Sequence, residues 1–251
     1  MIRSHARALL AAAALLALAP AGASPAVLIE LFTAQGCSTC PPADKLLSAL
    51  GADPDLGKEL VPLAFHVTYW DTKDWRDRFS DKAWTQRQQD YLTAIGKGDL
   101  YTPQAVVAGG YRCIGSNVTC IHEGVEVAKK KPQGTVTLTP TSTSGDKVEL
   151  TVEAQPPAGG AALDVMVAVY ESGLDTDVKG GENAHKTLHD DYVVRRLERA
   201  FTVSGDGAKQ QTVKLKLDRD WVRANLGVAA FLQDPKTREV YGAAAIKLPA
   251  S

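Results

Sequence analysis

Val27-Leu28-Ile29-Glu30-Leu31-Phe32-Thr33-Ala34-Gln35-Gly36-Cys37-Ser38-Thr39-Cys40-Pro41-Pro42-Ala43-Asp44 is the stretch that decides the fold. Residues 27–32 are apolar except for Glu30, as expected of a strand with both faces covered. Residues 44–50 carry a helical pattern, so Cys37 and Cys40 stand between a strand and a helix. Two thiols at that spacing can close a small disulfide, and the amide donors and dipole of a helix start favour a thiolate over a thiol. Pro41 and Pro42 cannot donate helix hydrogen bonds, which is harmless only in a first turn. The expected N-cap is therefore Ser38 or Thr39, with Cys40 at the helix start.

Upstream, Arg3, His5 and Arg7 precede the apolar run 8–19, and Ala21-Gly22-Ala23 offers a small-residue cleavage site. This pattern predicts a secretory signal over 1–23, since the run is well short of the roughly 20 apolar residues that span a bilayer. A periplasmic or secreted location follows, with no membrane span after cleavage. The chain has 28 Lys and Arg against 29 Asp and Glu, a formal net charge of −1, and losing Arg3 and Arg7 makes it more acidic. That balance argues against a nucleic-acid surface. Four cysteines in an oxidising compartment allow two disulfides, and the pairs close in sequence are Cys37 with Cys40 and Cys113 with Cys120.

Organisation changes near Lys129-Lys130-Lys131-Pro132-Gln133-Gly134. Before it, strands fit 27–32, 60–67, 104–108 and 111–114, and helices fit 39–52, 81–95 and 117–130. After it, short strand-like runs fit 135–139, 147–154, 163–170, 193–203, 211–217, 228–233 and 240–248, several of them alternating. The expected division is a signal peptide over 1–23, an α/β domain over 24–132 and a β-sandwich-like domain over 133–251.

The order β-α-β-α-β-β-α, with CxxC after the first strand, resembles the thioredoxin fold. Tyr101-Thr102-Pro103-Gln104, directly before the strand at 104–108, adds to the resemblance, because thioredoxin-like proteins carry a cis-proline there facing the CxxC. The resemblance thus implies a cis Thr102–Pro103 bond. The segment 31–44, His66-Val67-Thr68-Tyr69-Trp70-Asp71, Tyr101-Thr102-Pro103-Gln104 and Glu182-Asn183-Ala184-His185-Lys186-Thr187-Leu188 look like a family of uncharacterised secreted bacterial proteins. In that family a thioredoxin-like domain precedes a β-rich one, and no reaction is established.

The thioredoxin resemblance implies catalytic roles for Cys37 as attacking thiol and Cys40 as resolving thiol, with Pro103 beside them. It also implies a buried carboxylate on the first strand that assists proton transfer from the second cysteine, for which Glu30 is the candidate; a solvated Glu30 on an exposed strand face is the alternative. Gly36 stands where thioredoxin has tryptophan, and Ser38-Thr39 replaces its Gly-Pro, so the direction of electron flow stays open. Thr102, His66, Tyr69 and Trp70 are candidates for a substrate groove, because ligands gather at the carboxyl ends of strands in such sheets. The plainer alternative has the two aromatics packing on the second helix and His66 satisfied in the core. Cys113 and Cys120 are expected to form a structural bridge near the first pair, worth about 2.5 kcal/mol for a loop of about eight residues; a relay between the pairs is the sharper reading. His185, His189, Asp190 and Asp191 read as a solvated loop.

The functional expectation is an exported thiol–disulfide oxidoreductase acting on protein or small-molecule disulfides, with a separate redox partner and no cofactor or bound metal. One competitor is a non-enzymatic copper or zinc carrier using Cys37, Cys40 and a distant histidine such as His66, since soft thiolates suit Cu(I). Another is a secreted interaction protein whose thioredoxin-like domain is redox-inert.

Overall fold

The computed structural model describes residues 25–249 except 97 and 206. The expected signal over 1–23 lies outside the described residues. Among those described, no helix is long and apolar enough to cross a membrane.

The first strand, β1 (Val27–Thr33), is buried along its whole length and lies beside β2 (Leu60–His66) in parallel register. Their crossover is α1 (Pro41–Ala52), and the antiparallel hairpin β3 (Gln104–Val107) and β4 (Tyr111–Ile114) extends the sheet on the other side of β1. A second helix, α2 (Lys82–Ile95), precedes β3, and a third, α3 (Val118–Lys129), follows β4. Alternation along β1 feeds two cores. Ile29 and Leu31 meet Leu47 and Leu50 of α1 and Ile121 and Val125 of α3, whereas Leu28 and Phe32 meet Phe65 of β2 and Trp84 and Tyr91 of α2.

Local signals set the helix ends. The Asp81 side chain accepts from Ala83 N at the start of α2, Gly96 closes that helix in the left-handed region, and Asn117 accepts from Cys120 N at the start of α3. The start of α1 differs from expectation. Its N-cap is Cys40, with no side-chain cap bond, and the two prolines take the first two helical positions. Neither Ser38 nor Thr39 caps it, because Cys40 itself has helical backbone angles (φ −77°, ψ −41°) and its carbonyl already accepts from Ala43 and Asp44.

Past α3 the chain is β-rich. Its strands are β5 (Thr135–Ser144), β6 (Lys147–Gln155), β7 (Leu163–Glu171), β8 (Leu174–Asp177), β9 (Thr187–Asp190), β10 (Val193–Val203), β11 (Lys209–Lys216), β12 (Leu226–Gln233) and β13 (Val240–Lys247). The hairpin β8–β9 was not expected; its strands are four residues each and exposed at alternate positions. The three-stranded sheet β11-β6-β5 covers one face of β7, β10 and β12 through Val148, Leu150, Val165, Val167, Val228 and Leu232.

The last α-helix ends at Lys129 and strands follow from Thr135, yet the sheet does not divide there. A single eight-stranded mixed sheet runs β13-β12-β7-β10-β2-β1-β3-β4. β10 joins β2 in parallel through the pair Val193 and Ala64, and Ala64 N donates to Tyr192 O at 2.8 Å. One apolar core holds Phe32, Phe65 and Tyr91 together with Tyr170, Phe231 and Val240. The two expected domains therefore share a sheet and a core.

Candidate functional site

The site lies at the carboxyl ends of β1 and β2. Cys37 and Cys40 are joined in a disulfide with Cα atoms 5.4 Å apart, at the exit of β1 and the entry of α1. Thr39 Oγ1 stands 3.4 Å from Cys37 Sγ. Opposite, β3 pairs Gln104 with Phe32, which sets the cis Thr102–Pro103 bond beside the exit of β1. The Trp70 indole N–H donates to Thr102 Oγ1 at 2.6 Å, and a Cβ at Gly36 would lie 3.0 Å from Trp70 O. Glycine at 36 thus leaves room for Trp70 to pack over the loop. Tyr69 is exposed and donates to Gln88, whose amide in turn donates to Tyr101 O and Gln104 Oε1. Thr102, Tyr69 and Trp70 are brought together around the loop before β3; His66 is not.

His66 is buried beneath them, its Nδ1 2.7 Å from Asp77 Oδ2. Burial works against its protonated form, but the Asp77 carboxylate outweighs burial and pushes the imidazole up to about 9. Asp77 also accepts from Gln35 N, and Gln35 Nε2 donates to Asp190 at 3.0 Å. Asp44, in the first turn of α1, completes the group: burial and then the nearby Asp190 raise its carboxyl to about 7. Burial raises Asp190 as well. Four ionisable side chains thus interact beside the cysteine loop, and Gln35 ties two of them, Asp77 and Asp190, to it. Asp190 is 3 % exposed, so the expected solvated loop is corrected there; His189, which pairs with Asp175 and Asp191, is exposed as expected.

Glu30 requires a different correction. It is fully buried, but its carboxylate accepts from Arg87 Nε at 2.6 Å and from the Tyr91 hydroxyl. Tyr91 accepts in turn from Arg87 and from Gln233 Nε2, both at 2.9 Å. The Glu30 carboxylate is therefore occupied in a buried ion-pair network that ties α2 to β12, with no bond to the Cys37–Cys40 pair. A single acidic residue in an apolar strand signals burial with a partner, and Arg87 was the partner to look for.

Cys113 and Cys120 are also bonded, with Cα atoms 5.9 Å apart. The bridge closes the corner between β4 and α3. It lies at the CxxC end, where Gly115 N donates to Pro103 O at 2.8 Å.

Residues from the second half of the chain complete the site. Asn183, fully buried, donates through Nδ2 to the carbonyls of Gln35 and Cys37 at 2.9 and 2.8 Å, and Glu182 accepts from Ser38 N at 3.0 Å. The motif around 182–188 stands out in the sequence, but nothing in it announces contact with the cysteines. His66 and the cysteines form no ligand set: among the described residues no group of three or more His, Cys, Asp or Glu is arranged to hold a metal ion.

A family model described as protein of unknown function (DUF1223) matches residues 28–233. The chain belongs to the DUF1223 family. Among solved structures, this DUF1223 chain is similar to protein AGR_C_4864 from Agrobacterium tumefaciens. The two are 28% identical with a TM-score of 0.66, over 88% of this chain and 93% of that one. It is also similar to HBP35 of Porphyromonas gingivalis, at 18% identity and a TM-score of 0.67, over 89% of this chain and 75% of that one. At that identity the second likeness concerns the fold alone. No protein among the curated ones matches the DUF1223 chain.

Proposed function

We propose that this DUF1223 protein is an exported thiol–disulfide oxidoreductase, with a thioredoxin-like first half and a β-sandwich-like second half. The observation that carries the reading is the Cys37–Cys40 disulfide at the junction of β1 and α1, backed by the half-buried Asp44 and the buried His66, Asp77 and Asp190. In the reducing direction, a Cys37 thiolate attacks one sulfur of a substrate disulfide, forming a mixed disulfide and releasing the other sulfur as a thiolate. The Cys40 thiolate then attacks Cys37 Sγ, releases the second substrate sulfur and restores the Cys37–Cys40 bond. Two electrons pass from the pair to the substrate. The oxidised pair runs the same steps in reverse, and in either direction a separate redox partner resets the pair. The carboxyl and imidazole groups beside the loop are suited to hold the protons that the thiols gain and lose.

Two measurements test this together. Equilibration with a dithiol redox buffer should give the Cys37–Cys40 pair a potential between about −270 and −120 mV, the span of exchanging pairs. Cys40→Ser should accumulate mixed disulfides through Cys37, and Cys37→Ser should not. A potential below about −300 mV together with no trapped adducts marks a structural bridge and overturns the reading.

A further inference from the structure

Disulfide exchange needs a sulfur that another molecule can reach, yet Cys37 and Cys40 are each 0% exposed. The two residues between them, Ser38 and Thr39, are exposed. Both cysteines belong to the apolar core with Ala34 and Val67, and the tip of the β8–β9 hairpin, residues 178–186, lies on the loop that carries them. Within the tip, Val178 N donates to Lys186 O at 2.9 Å, His185 N donates to Val178 O at 2.9 Å, and Ala184 N donates to Gly181 O at 3.2 Å, while Gly180 packs on Asp74 and Trp75. The tip is joined to the cysteine loop by few contacts. Asn183 Nδ2 donates to Gln35 O and Cys37 O, Glu182 accepts from Ser38 N, and Gly181 lies against Gly36. Lys186 Nζ donates to Asn183 Oδ1 at 3.0 Å, holding the amide in the orientation that makes both bonds.

We propose that the 178–186 tip is a gate over the Cys37–Cys40 pair, with Asn183 as its latch, and that an extended polypeptide is the ligand that displaces it. This rests on the exchange reading for its purpose, though not for its test. The tip bonds two carbonyls and one N–H of the cysteine loop, those of Gln35, Cys37 and Ser38; Cys37 O also accepts from Cys40 N, so the tip's departure bares Gln35 O and Ser38 N. Main-chain groups left bare beside a site are costly unless something replaces the lost bonds. A peptide backbone carries both donors and acceptors and can take over these positions as the tip leaves, whereas a small thiol offers no comparable set. Closed, the tip also sets the Glu182 carboxylate on Ser38 N–H, next to Cys37, where a thiolate would otherwise collect amide donors. The gate therefore both holds the loop that carries the sulfur and disfavours its reactive form.

The test reads chemical access to the disulfide in the full-length oxidised protein. Reduction of Cys37–Cys40 by dithiothreitol is followed by quenched alkylation and mass mapping, in wild type and in Asn183→Ala. Asn183→Ala should react at least about tenfold faster, with a urea dependence of that rate well below the slope of global unfolding, because opening of the tip no longer breaks the latch bonds. Equal rates overturn the gate. Should Asn183→Ala fail to fold, the denaturant dependence of the wild-type reduction rate decides. A slope much smaller than that of global unfolding, shared with hydrogen exchange at Ser38 N–H, is the signature of a local gate; a slope equal to global unfolding excludes one. Loss of all oxidoreductase turnover would leave these rates unaffected, so the two readings fail separately.

Discussion

Asp44 and His66 hold their protons more tightly in the folded chain than free in water, and the consequences for pH run in one direction. Asp44 sits at about 7 instead of 3.8, so its ionisation penalises the folded state as pH rises from about 4 to 7. His66 sits at about 9 instead of 6.5, so the stability from its pairing with Asp77 is complete below about 6.5 and is lost as pH rises through about 9. Asp77, held below the usual range once the His66 charge outweighs its burial, has the opposite sign, and its contribution fades only as pH falls through its lowered value. The expected outcome is an unfolding free energy that declines between pH 6.5 and 9 by on the order of 3 kcal/mol, measured by urea denaturation of the oxidised protein. Asp44→Asn should flatten the curve below pH 7 and leave the fall above it. Stability that is constant or rising over pH 6.5–9 would show that His66 is not charged in the fold. At this scale the sequence was legible for the Cys37–Cys40 bond and the cis Thr102–Pro103 bond, which local sequence marks, and misleading for the surroundings of Glu30 and Asp190. Whether a carboxylate faces water or a buried partner depends on Arg87 and Gln35, which no local pattern connects to them.

Among the elements, the ones read directly were those whose own residues enforce them. β1 is a run of apolar side chains, Asp81 and Asn117 cap α2 and α3, and Gly96 ends α2. The β8–β9 hairpin escaped because Leu174-Asp175-Thr176-Asp177 and Thr187-Leu188-His189-Asp190 have the composition of loops. Tertiary contacts hold it, including the Arg78 bonds to Asp175 O and Thr176 Oγ1. The β4–α3 corner lies between these cases, with spacing that announces its bridge and a role that follows from its location. Cys113 is buried against the core shared by α1 and α3, so the bond staples a short connection that packing already places. Replacing both Cys113 and Cys120 with serine should lower stability by about 2.5 kcal/mol. Reduction of Cys37–Cys40 in that variant should keep its wild-type rate. A variant whose first pair is then no longer reduced or reoxidised would instead make the second pair a relay.

Over the whole molecule, the question is what the junction near residue 132 separates. Composition alone suggests two bodies, because the helices stop there, and strand pairing between positions as distant as Ala64 and Val193 leaves no trace in either segment. Physically the two halves depend on each other. Without residues 133–249, β2 becomes a bare edge next to the site. Phe32, Phe65 and Tyr91 lose the apolar cover of Tyr170, Phe231 and Val240, and the buried Arg87 and Tyr91 lose Gln233. The cysteine loop loses Asn183, Glu182 and Asp190. Arg87 keeps Glu30, but an exposed apolar face combined with these lost bonds is enough to unfold a domain of marginal stability. A fragment of residues 25–132 should therefore lack cooperative unfolding and dispersed amide resonances. In calorimetry the full chain should melt in one transition, with calorimetric and van't Hoff enthalpies equal. Two resolved transitions, or a folded fragment melting within a few degrees of the whole, would mean that the shared sheet is only an abutment of two independent domains. The gate would then be an interdomain contact, free to open without disturbing either core.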